Sequence, residues 1–365
     1  MRMLLPITAM IASSTLLLAD DEARMRNLEN RLTSLECSQD RCCVINPPAR
    51  PYPAECWGFY VTVDPLIWQA HVGGLPLATQ TSGSTNFFNN VGSSRVKNLK
   101  FDWDWGFRIG LGVNTTHDAW DVLLQWTYWN PDGRRNFRSS SDSTNFPHVG
   151  HPARTFNQTA GQVDGDWKMH YNVLDLENGR EFYVSKFLSL RPHAGFRTLW
   201  IEQDYDVAYT ELSPTTNPVL PTNRHDIDQN DRFWGLGIRG GIDTQWGVCW
   251  GWSLFSNYAG SLLYSYHKVH HREKGDPVDA NTTLRVDDFH HVGSAIFDMQ
   301  IGVRWDWLSC DCCYHLGLDL GWEHHWHPGQ NQFLFFVDDG MDGKFVTNQG
   351  DLGIQGFFFR ARFDF

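Results

Sequence analysis

Beyond its first 19 residues, the 365-residue chain has no stretch long and uniformly apolar enough to form a membrane helix. The nearest, 244–266, is uncharged, but Gln245, Ser253, Ser256, Asn257, Ser261 and Ser265 interrupt it, and alternation fits it better. Catalytic signatures are also missing: there is no GxSxG, no HExxH and no Walker loop. Asp, His and Ser are plentiful, yet no spacing marks a triad, so no enzyme activity and no cofactor are expected. Basic residues number 30 against 42 acidic ones, which argues against a nucleic-acid partner. Mean hydropathy is only −0.41, whereas aromatic residues make up 14% of the chain and include 17 Trp. A helical membrane protein would be more apolar and a soluble enzyme poorer in Trp; a transmembrane barrel, polar on one face of every strand, satisfies both.

The clearest pattern lies in 101–129. Phe101, Trp103, Trp105, Phe107, Ile109, Leu111 and Val113 alternate with Asp102, Asp104, Gly106, Arg108, Gly110, Gly112 and Asn114. After a polar turn at 114–119, Trp120, Val122, Leu124, Trp126 and Tyr128 continue the apolar face, which makes the segment a hairpin. Half of that face is Trp or Phe. Soluble strands favour smaller branched residues, whereas transmembrane barrels carry an apolar outer band flanked by aromatic girdles.

Residues 1–19, with Arg2, an apolar run and Ala19 before two Asp, read as a cleaved secretory signal. Residues 20–56 follow. Met25, Leu28, Leu32 and Leu35 give a short periplasmic helix one apolar seam, then come a Cys-rich segment and a linker stiffened by Pro47, Pro48, Pro51 and Pro53. The barrel is expected over 57–365.

Alternation and turn signals place strands at 57–69, 99–113, 120–129, 166–184, 188–207, 233–246, 250–267, 289–307, 314–326 and 351–365. The fold class is therefore all-β: an antiparallel transmembrane β-barrel of about ten strands, or twelve or more if the loops hide further strands. Long and short connections follow one another strictly, as outer loops and periplasmic turns should. The last strand places Phe357, Phe359, Ala361, Phe363 and Phe365 on one face, and its terminal Phe365 resembles the signal read by the barrel-assembly machinery.

Five stretches, WGFYVTVDPLIWQAHVGGLPLA, FDWDWGFRIGLG, VLDLENGREFYVSKFLSLRPHAGFRTLWIEQDY, GWEHHWHPGQNQ and DLGIQGFFFRARFDF, together resemble the Legionella-type major outer-membrane protein family. Its relatives in environmental chlamydiae are called major-outer-membrane-protein-like porins. The resemblance implies an abundant pore-forming protein of the outer membrane, its partners being membrane lipid and neighbouring copies. Passive diffusion of small polar solutes or ions is the expected function. The alternative is a non-conducting structural or adhesin-type barrel, because ten strands lie close to the size that side chains fill.

The polar faces assign to the lumen Asp102, Asp104, Arg108, Asp121, Arg191, His193, Arg197, Arg239, Asp243, Asp298, Arg304, Asp306, Asp319, Glu323, Arg360 and Arg362. Such rows set a transverse field in a pore or pair off and fill it. Cys37, Cys42, Cys43, Cys56, Cys249, Cys310, Cys312 and Cys313 all fall at the expected periplasmic end, and in that oxidising compartment disulfides are expected within the chain or between neighbours. His267, His270, His271, His290, His291, His324, His325 and His327 collect near the opposite rim. They are read as hydrated loop and interface residues, and no metal is assigned to them.

Overall fold

The computed structural model describes residues 58–82, 93–115, 119–151, 158–214, 224–275, 283–308, 314–337, 345–347 and 350–365. The expected signal sequence, the periplasmic helix and all the cysteines except Cys249 lie outside these residues.

Every element of the described chain is a β-strand. Ten of them form the wall: β1 (Gly58–Val72), β2 (Trp103–Asn114), β3 (Trp120–Trp129), β4 (Gln158–Arg180), β5 (Leu188–Pro214), β6 (Arg224–Cys249), β7 (Trp252–Gly275), β8 (Leu284–Leu308), β9 (His315–Asn331) and β10 (Gly350–Asp364). Each pairs antiparallel with its chain neighbours, and β10 pairs with β1 through Val63↔Ala361 and Trp68↔Gly356, so the sheet closes on itself. Closure brings the two ends of the barrel together, with the amide of Phe59 donating to the Phe365 carbonyl at 3.1 Å and that of Phe365 donating back at 3.0 Å.

The outside of this cylinder is apolar. Trp103, Trp105, Ile109, Leu111, Leu124, Trp126, Phe196, Ile238, Leu262, Ile301, Leu320 and Phe357 are all exposed. Phe59, Trp246, Trp252, Trp307 and Phe363 edge one end, and Trp103, Trp126, Trp200, Trp234 and Trp326 edge the other. Buried positions instead include Asp64, Arg108, Arg197, Asp298 and Glu323. This inversion of the ordinary inside-outside rule is what hydrocarbon demands of a spanning sheet.

The short turns share one end with the chain termini. Between β6 and β7, Trp250 (φ 55°) and Gly251 (φ 81°) both take left-handed backbone. Two successive positive φ values match the natural twist of a tight hairpin. Trp250 therefore belongs to the turn and not, as expected from its apolarity, to the strand.

Among the described residues ten strands make up the ring. The outer connections do contain strands, at Pro76–Ser82, Ser94–Asn98, Asp132–Arg138, Ser143–Pro147 and Leu334–Phe336. The first four pair with one another or with the top of β4, Leu334–Phe336 pairs with Phe345–Thr347 in a separate two-stranded sheet, and none widens the ring. The strand expected over 99–113 is broken at Asp102. Strands β4 to β8 run well beyond the expected limits, reaching Gln158, Pro214, Arg224, Gly275 and Leu284. Above the membrane their outward residues turn polar, as in Asp204↔Asn230 and Arg232↔Lys268. A criterion based on an apolar face stops where hydrocarbon stops, although the hydrogen-bonded ladder continues.

Candidate functional site: a lumen filled in two tiers

The lower tier, toward the short turns, is ionic. Strand register places Arg197 opposite Asp175, Arg191 opposite Asp243, Arg304 opposite Asp319 and Arg108 opposite Asp64. All four pairs point inward and close. Arg197 grips Asp175 with two hydrogen bonds of 2.6 and 2.7 Å and reaches Asp298 at 2.8 Å. Arg304 holds Asp319 with two bonds of 2.6 Å. Arg191 donates twice to Asp121, at 2.9 and 2.7 Å, and to Asp243 at 2.8 Å.

The pairs then link around the wall. Arg239 joins Glu177 at 2.9 Å to Asp298. Arg108 bridges Asp64 at 3.3 Å and Glu323 at 3.0 Å, and Arg360 shares Asp64 at 2.8 Å. Trp68 adds its indole N–H to Glu323 at 2.8 Å. Nearest the turns, Arg362 lies 3.8 Å over the Tyr60 ring and 2.7 Å from Asp364, Tyr60 donates to Asp121 at 2.9 Å, and His315 lies between Asp364 (2.7 Å) and Asp306 (3.0 Å). Buried charges persist only when paired and hydrogen-bonded, and each of these arginines has a carboxylate. Among these groups lies a cavity of about 130 Å³, lined also by Thr62, Gln125, Asn257 and Gln300.

The upper tier is apolar. Wall residues Trp68, Trp129, Trp167, Leu199, Ile201, Tyr205, Tyr209, Val269 and Ile354 pack against Leu75, Leu77 and Ala78 from the first outer connection, Val149 from the second, and Phe333 and Leu334 from the last. The Trp68 and Trp129 rings meet edge-on at 5.4 Å, and Phe333 stacks on Tyr205 at 5.7 Å. Leu77 fits because Gly165 stands opposite: a Cβ there would come within 2.4 Å of Leu77 Cδ2.

Polar contacts moor the cap. Tyr209 donates its hydroxyl to the Leu77 carbonyl at 2.6 Å and accepts from the amides of His148 (3.3 Å) and Val149 (3.2 Å). Asn331 donates to the Gly73 carbonyl at 2.9 Å. The amide of His151 donates to Glu273 at 2.6 Å, and the same carboxylate takes His225 at 3.2 Å and His271 at 2.7 Å. Glu273 lies above the membrane-spanning part of the wall. Burial alone would raise its pKa, but the two imidazoles outweigh burial and hold it at about 2.

Of the residues assigned to the lumen, Arg108, Arg191, Arg197, Arg239, Asp243, Arg304, Asp319, Glu323, Arg360 and Arg362 all take part in the ionic tier. Asp102 does not: it is exposed at the break before β2. Asp104 sits at the rim, accepting the amide of Asp132 at 3.2 Å. Both follow the right parity, but the strand carries them above the lumen's charged level. Asp64, Asp175, Glu177, Asp364 and Tyr60 are partners outside the lumen assignment. Parity alone could have found them, since Tyr60, Thr62, Asp64, Leu66 and Trp68 share one face of β1 and Asp175 and Glu177 the inner face of β4.

The histidines divide, correcting the reading of them as hydrated rim residues. His267, His271, His325 and His327 are buried. His325 lies 2.7 Å from Asp298 within the ionic tier, and His267 lies 3.1 Å from Asp231 beneath the cap. His270 and His291, which pair across the ladder with Asn230 and Tyr266, point outward because strand residues alternate. Of the expected disulfide residues, Cys249 is exposed at the β6–β7 turn, while Cys37, Cys42, Cys43, Cys56, Cys310, Cys312 and Cys313 lie outside the described residues.

An antiparallel ten-stranded cylinder, greasy outside and ionic inside, is an outer-membrane β-barrel. The chain belongs to the family described as Legionella pneumophila major outer membrane protein precursor, whose profile matches residues 51–365. This places it in the outer membrane. Among solved structures, the outer membrane protease OmpT of Escherichia coli is similar at 9% identity and a TM-score of 0.43, over 84% of this chain and 96% of that one. A FadL homologue of Pseudomonas aeruginosa is similar at 9% identity and a TM-score of 0.25, over 85% of this chain and 90% of that one. A mutant of TodX, a monoaromatic hydrocarbon channel, gives 6% and 0.26, over 86% and 90%. At those scores none bears on function. No curated protein sequence matches the chain.

Proposed function

We propose that this protein is a closed, structural outer-membrane barrel that presents its outer connections to the surroundings, in preference to an open diffusion porin. The observation that supports this reading is the occupancy of the lumen along its length, with paired charges below and a cap of fully buried Leu77, Tyr209 and Phe333 above. A barrel of this strand number has little room to spare. In the same reading the leader is removed on export, Phe365 serves assembly, and the cysteines near the short turns crosslink neighbours. No catalytic step is assigned.

A second reading, passive permeation of small polar solutes, is favoured by the polar cavity in the lower tier and by the pore-forming role that the family resemblance implies. Planar-bilayer recording on the refolded, heat-modifiable chain separates the two. Silence is expected for wild type. Defined conductance steps whose ion preference changes in Arg191→Ala or Arg197→Ala would overturn the closed reading and establish the porin.

A further inference from the structure

The outer face of the barrel carries a charged feature that the lumen does not explain. On β5, β6 and β7 the upper aromatic girdle consists of Trp200, Trp234 and Tyr266, joined side by side in the ladder as Trp200↔Trp234↔Tyr266. One outward position higher on each strand stand Glu202, Arg232 and Lys268, again in register. Two residues of strand rise about 7 Å. These side chains therefore stand where the girdle rings give way to lipid headgroups.

Together the six residues line a surface recess of about 400 Å³. Its floor is aromatic, and its upper wall carries two basic residues and the carboxylate of Glu202. Arg232 engages Glu202 through Nε at 2.7 Å, a bond that does not use its two terminal amino groups. Lys268 Nζ lies 5.6 Å from the centroid of the Tyr266 ring, and among the described residues no carboxylate comes within ion-pair distance of it. At the corresponding height on the low side of the barrel, β1 and β10 present Gln69 and Gln355 opposite each other. On the β5–β7 flank, by contrast, Arg232 and Lys268 stand directly above membrane-facing rings.

From this placement we infer that the β5–β7 flank is a docking site for a phosphate-bearing lipid of the outer leaflet. Its acyl chains lie along Trp200, Trp234 and Tyr266, and its phosphate is held between the Arg232 guanidinium and the Lys268 ammonium. Planar guanidinium and mobile ammonium are complementary anchors for phosphate oxygens, and basic residues at the membrane surface draw anionic headgroups. The inference depends on the membrane orientation of the barrel and not on whether its lumen conducts.

The test is native mass spectrometry of the full-length chain in nonionic detergent, titrated with diphosphoryl lipid A. One retained lipid is expected. Retention should weaken by roughly thirtyfold in Arg232→Ala/Lys268→Ala, about what two surface basic residues contribute together. It should survive Arg232→Lys, and stay unchanged in Arg180→Ala/Lys186→Ala at the opposite interface. Heat-modifiability on gels checks that each variant is folded, and both target side chains are exposed, so neither change removes packing. Equal retention by the double alanine variant, or equal retention of lipid A stripped of its phosphates, overturns the site. Displacement by millimolar inorganic phosphate overturns it as a lipid site and leaves a surface anion site.

Discussion

The two tiers of the lumen are filled by different means. In the lower tier every partner comes from a wall strand, and the main pairs, Arg197–Asp175 and Arg304–Asp319 among them, sit directly opposite each other in the ladder. Once the barrel closes, those charges have nowhere else to go. The upper tier depends on three separate outer segments arriving at the mouth and burying Leu77, Val149 and Phe333 there. The lower tier is therefore a property of the closed wall, whereas the cap rests on contacts that segments outside the wall make with it. Substitutions in the lower tier should change global stability, and those in the cap should change local opening.

The sharpest separation comes from Arg197→Ala. It strands the nearly solvent-free Asp175 and leaves the equally buried Asp298 to Arg239 and His325, and removing one partner of a buried pair costs about 3–5 kcal/mol. A large drop in the urea midpoint of unfolding is expected for the whole barrel. Arg232→Ala, which breaks an exposed pair with Glu202, should move the midpoint by no more than about 1 kcal/mol. Equal shifts in the two variants would mean that the lower tier is not a buried network.

Glu273→Gln tests the cap. The neutral amide weakens the attachment of His151, His225 and His271, at about 1–3 kcal/mol for buried groups left poorly paired. Hydrogen exchange should quicken at 143–151, with the β5–β6 ladder unchanged. The pH dependence has a definite sign. Because the Glu273 pKa is depressed from its ordinary 4.5 to about 2, its contribution is complete above about 4.5 and is lost as pH falls toward 2. Protection of 143–151 in wild type should therefore fall across that window, and the variant should lack this component of the decline. An identical pH course in both would remove Glu273 as the mooring.

The wall was more legible than its contents. Strict alternation, as in FDWDWGFRIGLG, exposes a spanning strand because hydrocarbon selects one face so strongly, and all ten strands carry it. The lumen was half legible. Parity assigns Arg108 or Arg360 to the inside, but the identity of the partner depends on register, which no single strand encodes. The cap was not legible at all: Leu77 and Phe333 lie in outer connections whose sequence looks like ordinary loop, and only the space left by Gly165 and the wall beneath Tyr205 gives them a place inside. The split among the histidines is a parity effect of the same kind, since His270 and His271 are adjacent in sequence yet lie on opposite faces.

The smallest effect is expected where the tall flank meets solvent, and its sign is opposite to that of Glu273. Asp206 faces outward on the upper part of β5, directly across from Asp166 on β4 and Asp228 on β6. Partial burial between these strands, followed by repulsion from Asp228, Asp204 and Asp166, raises its pKa to about 6. A carboxyl with a raised pKa favours the folded state while protonated. That advantage is lost as pH climbs from its ordinary 3.8 toward 6, and above 6 the folded protein carries an ionised carboxylate it disfavours. Asp206→Asn should therefore slow hydrogen exchange of the upper β5–β6 ladder at pH 7.5 and leave it unchanged near pH 4. The gain should be modest, since the side chain is solvent-facing and screened. If the Asp206→Asn variant gave the same exchange rates as wild type at pH 7.5, the four aspartates would be too well hydrated to repel one another. The tall flank would then be held by its ladder alone, with no electrostatic strain to relieve.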